Sequence, residues 1–341
     1  MTATVVPTGE VQLDHGTGAK LSQELIALIV RTLGDVYIGE MEDSAFLSVD
    51  TGRIAMTSDS FVADPPFFGN GDIGKIAVCG TVNDLAVAGS RPRYLTLCLI
   101  IETGFPLARL VRVLESVRDT AREADVLIVG GDTKVVRSGE ADQIYLNTAG
   151  VGVFERAPRR MRDVRPGDKV ILTGSIGNHT VHLLSIREGL GFETRVLSDC
   201  APLNGLVEAM FAVADDSAIR SIRDVTRGGL SAVLHEYAHT VGRSIRINHD
   251  DLPIQHETAM AMDMLGINPI HAANEGCACV FVAPEAESAV LEALRAHHYG
   301  RDAVTIGEVT DLPDAKVLLR DASGRDAEVE ELQGAELPRL C

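Results

Sequence analysis

Hydrophobic positions along this chain recur with two different periods, and together they predict a mixed α and β structure. Where apolar residues return every three or four positions, they line one face of an amphipathic helix. Stretches of this kind predict helices over residues 21–33, 75–88, 107–124, 230–240 and 285–297, with another beginning near residue 180. Short apolar runs between them predict buried strands. The strands cover residues 45–49, 53–57, 94–101, 126–129, 144–154, 169–173 and 280–283.

A segment rich in proline and arginine divides the chain into two halves. Residues 156–168 include two prolines and show no apolar period, which is typical of a domain boundary. A chain of 341 residues is also long enough for two domains of ordinary size. We therefore predict one domain over residues 1–155, a second domain, of α/β type, over residues 156–320, and a polar, flexible tail over residues 321–341.

The composition narrows the classes of function. Hydrophobic residues make up 45% of the chain, which allows a substantial core, and the low aromatic content of 4% favours aliphatic packing in mixed sheets and helices. The formal net charge of −18 disfavours nucleic acid as a partner. The six cysteines are scattered, which indicates free thiols in a reducing compartment. Without a signal-like or membrane-spanning apolar run, we expect a cytoplasmic protein with no membrane partner.

Aspartates recur beside predicted strand ends and glycine turns. They are Asp43, Asp59, Asp84, Asp132 and Asp224, the third of which follows Asn83 within a predicted helix. Side chains at strand ends project into clefts, and their carboxylate oxygens suit Mg²⁺ that bridges phosphates. A single aspartate of this kind is more often a turn or cap residue. The recurrence of five favours phosphate chemistry.

Three further features are candidates for the same chemistry, each with a plainer alternative. The loop Gly69-Asn70-Gly71-Asp72-Ile73-Gly74-Lys75 opens a helix, where free N–H groups attract an anion, although a structural turn explains it equally well. Lys134 follows an apolar strand and could bind a phosphate or a developing oxyanion, or else be a surface lysine. Glu275 precedes another strand and could act as a general base, or else be a solvated carboxylate.

The last residue, Cys341, is a candidate carrier thiol. A terminal thiol contributes nothing to a core, and an exposed cysteine is usually a liability. A tail of roughly 20 residues, at about 3.3 Å per extended residue, would let the thiol travel tens of ångströms. Its own α-carboxylate disfavours the thiolate, which fits a thiol loaded by a partner enzyme better than a resident nucleophile. The alternative is an accidental terminal residue.

Taken together, these segments resemble the HypE family of hydrogenase-maturation carbamoyl dehydratases. That family belongs to the superfamily of aminoimidazole ribonucleotide synthetase, selenophosphate synthetase and thiamine-monophosphate kinase. The matching motifs run in family order along the whole chain. They are Thr57-Ser58-Asp59-Ser60-Phe61-Val62, Gly71-Asp72-Ile73-Gly74-Lys75, Gly80-Thr81-Val82-Asn83-Asp84-Leu85-Ala86, Gly131-Asp132-Thr133-Lys134-Val135-Val136, Ser198-Asp199-Cys200-Ala201-Pro202-Leu203, Arg223-Asp224-Val225-Thr226-Arg227-Gly228-Gly229-Leu230, Ala273-Asn274-Glu275-Gly276 and Pro338-Arg339-Leu340-Cys341.

The resemblance implies a two-domain α+β fold like that of aminoimidazole ribonucleotide synthetase, with mixed sheets flanked by helices and a flexible C-terminal tail. The first domain would bind ATP and form a homodimer, and ATP with Mg²⁺ would lie between the halves. Catalysis would fall to Cys341, Lys134 and Glu275. The implied cofactor-binding residues are Asp43, Asp59, Asp72, Lys75, Asn83, Asp84, Asp132, Asp224, Thr226 and Arg227. The implied metal ligands are Asp43, Asp84 and Asp224.

The resemblance also implies a reaction and its partners. A HypF-type carbamoyltransferase would load Cys341 with an S-carboxamide, which ATP-dependent dehydration would convert to a thiocyanate. Cyanide would then pass to iron on a HypC–HypD-type scaffold complex, for use in [NiFe]-hydrogenase. Two alternatives remain open at this point. The chain could be another kinase-like or selenophosphate-synthetase-like member of the superfamily, or it could be a non-catalytic carbamoyl carrier.

Overall fold

The computed structural model describes residues 9–16, 20–38 and 52–331, and a four-stranded sheet organises the first part of them. Its strands are β1 (Ile54–Phe61), β2 (Arg91–Glu102), β3 (Leu127–Val136) and β4 (Ile144–Val153). Their order in the sheet is β1-β4-β2-β3. β4 pairs antiparallel with both β1 and β2, whereas β2 and β3 are parallel and are joined by a helical crossover.

Helices cover one face of this sheet. They are α1 (Lys20–Leu33), α2 (Ile73–Val87) and α3 (Leu107–Glu123). α2 is apolar around most of its circumference, and a helix of that kind is buried on all sides. Its N-terminal side chains, such as Ile73 and Ile76, pack into the core of the first sheet, while Ala86 and Val87 pack into a core of the second half. α2 is therefore the central helix of the molecule.

A seven-stranded mixed sheet organises the second half. Its strands are β5 (Lys169–Leu172), β6 (Ile219–Asp224), β7 (Ile245–Asn248), β8 (Ala278–Val282), β9 (Val304–Val309), β10 (Val317–Arg320) and β11 (Asp326–Glu328). Their order is β11-β10-β7-β9-β5-β8-β6, and only β7 and β10 pair in parallel. The accompanying helices are α4 (Asn178–Glu188), α5 (Asn204–Phe211), α6 (Gly229–Val241), α7 (His256–Leu265) and α8 (Glu287–Ala296). In the part of the chain that the structure describes, no helix combines the length and the apolar character needed to cross a membrane.

The predicted helices and strands are confirmed where the structure describes them, with three corrections of extent. β1 continues to Phe61, past the predicted end at residue 57. β3 continues to Val136, well past the predicted end at residue 129, because it pairs with β2 along its whole length. The predicted tail does not begin at residue 321, since β11 pairs with β10 and Val329 is buried. Residues 332–341 and the predicted strand at residues 45–49 lie outside the described residues.

The other face of the first sheet carries exposed apolar side chains. Because successive residues of a strand point to opposite faces, the register across the sheet fixes which residues share this face. Met56 is 73% exposed, and Ile54 and Ile100 are also exposed. The register places Lys134 opposite Ile100 on the adjacent strand, so Lys134 lies on the same face. This uncovered face is therefore partly apolar and carries a cation.

Candidate active site

A cavity of about 690 Å³ opens between the two sheets. β1 and α2 form one wall, and β6, the turn after it and α6 form the other. The residues predicted from sequence that line it are Asp59, Asp84, Asp224, Thr226, Arg227 and Glu275. These residues come from four segments that are far apart in the sequence, so the fold brings five of the ten predicted cofactor-binding residues into one place, together with Glu275.

Asp84 and Asp59 face each other across the first wall. Asp84 projects from α2 and accepts a hydrogen bond of 2.7 Å from the Thr57 hydroxyl. Asp59 lies two residues beyond Thr57 on β1 and therefore points to the same side. Asp59 lies inside β1, whereas the sequence had predicted that it follows the end of this strand. Burial, and then the neighbouring Asp84 carboxyl, raises the pKa of Asp59 to about 6.

Asp224 adds a third carboxyl group from the opposite wall. It is the last residue of β6. Burial, followed by the charge of Asp84, raises its pKa to about 6. Three crowded acidic groups of this kind are stabilised in their charged form by a cation, and carboxylate oxygens are the donors that Mg²⁺ prefers.

The cavity does not by itself present a complete metal cage. Among the described residues, no three or more His, Cys, Asp or Glu side chains are arranged to hold a metal ion. Mg²⁺ is usually bound by one or two carboxylates together with substrate phosphates and water. Asp84 and Asp224 therefore fit a Mg²⁺ ion that arrives with a nucleotide. Asp43, the third predicted ligand, lies outside the described residues.

The turn after β6 offers donors for phosphate. Thr226 and Arg227 lead into α6 through Gly228 and Gly229, which both have positive φ angles. A side chain at Gly229 would also clash, since its Cβ would lie 2.6 Å from the backbone of His271. No side chain caps the N-terminus of α6, so its N–H groups and the Arg227 guanidinium can receive an anion.

Glu275 lies beside this polar wall and is only 6% exposed. It lines the cavity from the loop that precedes β8. Its backbone N–H donates to the carboxylate of Asp199 at 3.0 Å. A carboxylate held in this way can accept a proton from a substrate in the cavity.

Lys134 and Asp132 require a correction. The sequence placed both after a strand end and facing a cleft, but β3 contains them and its register puts them on the uncovered face. Neither lines the cavity. Both side chains are more than half exposed, and the Lys134 Nζ lies 2.7 Å from the Asp132 Oδ2. The hydrogen bond from Lys134 lowers the pKa of Asp132.

The glycine loop also differs from the prediction. Asp72 caps α2, where its Oδ1 accepts from the N–H groups of Gly74 at 2.9 Å and Lys75 at 3.1 Å. Ser116 donates to the other oxygen at 2.6 Å. The amides expected to bind phosphate are therefore already occupied by this cap, and a contact between Asp72 and a nucleotide stays a prediction.

Asn83 and Lys75 likewise lie outside the cavity lining. Asn83 is 3% exposed, and its side-chain amide binds the backbone of the second half. Its Nδ2 donates to the Ala201 carbonyl oxygen at 3.1 Å, and its Oδ1 accepts from the Leu203 N–H at 2.7 Å. It joins the halves and does not contact the cavity. Burial raises the pKa of Asp199, and the positive charge of Lys75 partly opposes that effect.

Sequence reasoning missed the basic residues at the far end of the cavity. Arg159 and Arg160 come from the segment interpreted only as a domain boundary, and both line the cavity. Arg159 is almost fully buried, and its Nε and Nη2 have no hydrogen-bond partner in the described part of the chain. Burial lowers its pKa. In the sequence, the cluster of arginines at residues 156–165 was the feature that could have indicated these basic cavity residues.

Family models of known proteins match both halves of the chain. The family model described as "AIR synthase related protein, N-terminal domain" matches residues 41–154, and the corresponding C-terminal model matches residues 165–320. Carbamoyl dehydratase HypE of Azotobacter vinelandii is 42% identical over 335 residues, which are 98% of this chain and 98% of that protein. The chain belongs to the HypE family of carbamoyl dehydratases.

Solved HypE structures agree with this assignment. A crystal structure of hydrogenase maturation protein HypE in complex with ATP is 37% identical, covers 97% of this chain and 99% of its own, and has a TM-score of 0.91. A crystal structure of a HypE–HypF complex is 39% identical, with coverage of 92% and 100% and a TM-score of 0.79. The resemblance found in the sequence and the predicted two-domain fold are thus confirmed.

Proposed function

We propose that this chain uses ATP to dehydrate an S-carboxamide on Cys341 to a thiocyanate. The observation that carries the proposal is the cavity between the sheets, where Asp59, Asp84 and Asp224 lie on the same cavity as Glu275. The carboxyl groups and the uncapped end of α6 suit a nucleotide with its metal, and Glu275 supplies a base beside it. Membership of the carbamoyl dehydratase family gives the substrate class.

The reaction needs a phosphoryl group on the carbamoyl oxygen, because that oxygen is otherwise a poor leaving group. The oxygen attacks the γ-phosphorus of ATP and ADP leaves, while nitrogen loses one proton. The C–O bond then breaks, phosphate departs with the oxygen, and loss of the second nitrogen-bound proton gives the S–C≡N group. In this scheme Glu275 accepts a proton from nitrogen, and Thr226 and Arg227 hold phosphate oxygens. Mg²⁺ held by Asp84 and Asp224 would neutralise charge on the triphosphate.

Lys134 enters this scheme only if a second copy of the chain takes part. Within one chain it lies on the sheet face that points away from the cavity. Burial of the exposed Ile54, Met56 and Ile100 against a second copy would stabilise a homodimer through that face. We propose that the dimer brings Lys134, with Asp132, towards the partner's cavity, where the cation would stabilise charge on the carbamoyl oxygen.

The partners follow from the same chemistry. The HypE–HypF complex of a relative supports a HypF-type carbamoyltransferase as the enzyme that loads Cys341. The product would pass to a HypC–HypD-type iron scaffold in the cytoplasm. We also propose that the boundary between the two domains lies between residues 155 and 156. Family membership favours this reaction over the kinase and selenophosphate alternatives.

Mass spectrometry of the C-terminal peptide tests the proposed reaction. The full-length protein would be incubated with its carbamoyltransferase partner, carbamoyl phosphate and ATP, with a parallel sample that lacks ATP for the second step. We expect the S-carboxamide on Cys341 to lose one water and become a thiocyanate only when ATP is available. A non-catalytic carrier would keep the S-carboxamide in both samples, and that result would refute the proposal.

A further inference from the structure

The loop that carries Glu275 is held by contacts to its main chain. The N–H of Glu275 donates to Asp199 Oδ1, and the N–H of Gly276 donates to Asp199 Oδ2, both at 3.0 Å. One carboxylate thus binds two successive amides, a bidentate arrangement that fixes both position and orientation. Sequence reasoning did not identify Asp199 as a site residue.

The close approach of the two segments is also built into the backbone. A Cβ atom at Gly276 would lie 1.9 Å from the Asp199 carbonyl oxygen, so only glycine fits there. Burial raises the pKa of Asp199 to about 6, while the two N–H donors and the charge of Lys75 oppose that effect. Near neutral pH the carboxyl is therefore ionised, and both of its oxygens can accept.

The carbonyl oxygen of Glu275 links its loop to the first half of the molecule. The Glu275 carbonyl oxygen accepts from Asn83 Nδ2 and from the Ala201 N–H, each at 3.4 Å. Asn83 is followed on α2 by Asp84, whose carboxyl faces the cavity. The loop that carries Glu275 is thus held in a fixed position relative to the carboxylates that would hold the metal and the nucleotide.

We propose that Asp199 is a positioning residue that holds Glu275 where it can accept the substrate proton. The inference rests on the role of Glu275 in the proposed function. Asp199 itself binds main-chain amides and acts on the reaction only through the base. Because general-base catalysis depends on geometry before basicity, a small shift of the loop would slow proton transfer without weakening nucleotide binding.

The test compares Asp199→Asn with Glu275→Gln and with the double variant, in full-length protein loaded on Cys341. Asparagine keeps the volume of Asp199 but turns an NH₂ group towards one of the two backbone donors. We expect Asp199→Asn to lower the dehydration rate about 100-fold, the scale of a misplacement of about 1 Å. The Kd for ATP should change by less than about threefold, since no shared contact is lost. Asp263→Asn, on the exposed side of α7, is the matched control.

Non-additivity distinguishes positioning from a general loss of structure. If Asp199 acts only through Glu275, the double variant should be no slower than Glu275→Gln alone. Hydrogen exchange at the amides of Glu275 and Gly276 should accelerate in Asp199→Asn, because their acceptor is impaired. A double variant that is much slower than Glu275→Gln, or an Asp199→Asn variant with the normal rate, would overturn the inference.

Two outcomes separate this inference from the function on which it rests. A normal rate in Glu275→Gln would refute the assigned base, and with it the role of Asp199. A slow Glu275→Gln with a normal Asp199→Asn would refute only the positioning role. If Asp199→Asn does not fold, Gly276→Ala serves instead, since it separates the same two segments while Asp199 stays intact. Gly276→Ala should show the same slow rate with unchanged ATP affinity, and a normal rate in this variant would overturn the inference.

Discussion

Asp59 and Lys134 lie on opposite faces of one four-stranded sheet. The register pairs Asp59 with Thr148, Thr148 with Leu97 and Leu97 with Gly131, so these four residues share the face that points to the cavity. Lys134 is three residues beyond Gly131 and therefore points the other way. A catalytic role for Lys134 consequently requires contact between two copies of the chain.

Mixing two inactive variants tests that requirement. Lys134→Ala and Glu275→Gln should each lower dehydration at least about 100-fold, because each removes a group that acts on the transition state. After subunit exchange, about a quarter of the wild-type activity should return, because half of the dimers are mixed and each has one intact site. No recovery, with exchange verified by native mass spectrometry, would show that Lys134 does not act across the dimer.

The metal should be needed for tight binding of ATP. Asp84→Asn and Asp224→Asn each remove a negative oxygen from the cavity, so we expect the Kd for ATP with Mg²⁺ to rise at least about tenfold in each. Binding of ATP without divalent metal should change little. Isothermal titration calorimetry measures both, with Asp263→Asn as the control. Unchanged affinity in both cavity variants would contradict the assignment of these ligands.

The crowded carboxyls should destabilise the metal-free protein as the pH rises. The pKa of Asp59 is about 6 in the folded protein, against the ordinary value of 3.8 for an aspartate in an unfolded chain. Between these values the folded state binds more protons than the unfolded chain, so the free energy of unfolding falls as the pH increases, and the full penalty is present above about pH 6. Asp59→Asn removes the penalty and should raise the melting temperature at about pH 7.5 more than at about pH 5.

Thermal unfolding in a metal chelator measures this effect. Asp224→Asn should behave in the same way, because burial also raises the pKa of Asp224 to about 6. Asp263→Asn should show no comparable dependence on pH. An Asp59→Asn variant that is less stable than wild type at both values of pH would show that the charged Asp59 carboxylate does not destabilise the folded protein.

The tail should carry the substrate without supporting the fold. Deletion of residues 334–341 removes a polar segment with little apolar surface to bury, so the melting temperature and the Kd for ATP should stay near wild type while all dehydration is lost. Addition of a few residues after Cys341 is the sharper experiment. If the thiol enters a narrow channel, extension should block dehydration but permit loading by the partner. Normal dehydration in the extended protein would exclude a narrow channel.

The sequence alone determined the family of this protein and predicted most of its helices, whereas α5, α7 and the strands β6, β7, β9, β10 and β11 were not predicted. Apolar periods located α1, α3 and α8 because burial on one side of a helix imposes a period, and this local signal needs no knowledge of distant contacts. The ordered motifs identified the family, and they indicated Asp84, Asp224 and Glu275 as site residues. Asp72 could also have been recognised from sequence, since an aspartate directly before a helix is commonly its N-cap.

Only the tertiary structure decided which of these side chains share a site. Asn83 and Asp84 are adjacent in sequence, yet the phase of α2 directs one into the second half and the other into the cavity. The register of β3 directs Lys134 away from the cavity of the same chain. The fold also brings Asp199 into contact with Glu275, which lies 76 positions away in the sequence. Side-chain direction and long-range proximity depend on how the elements pack, and the periodicity of a single segment does not contain that information.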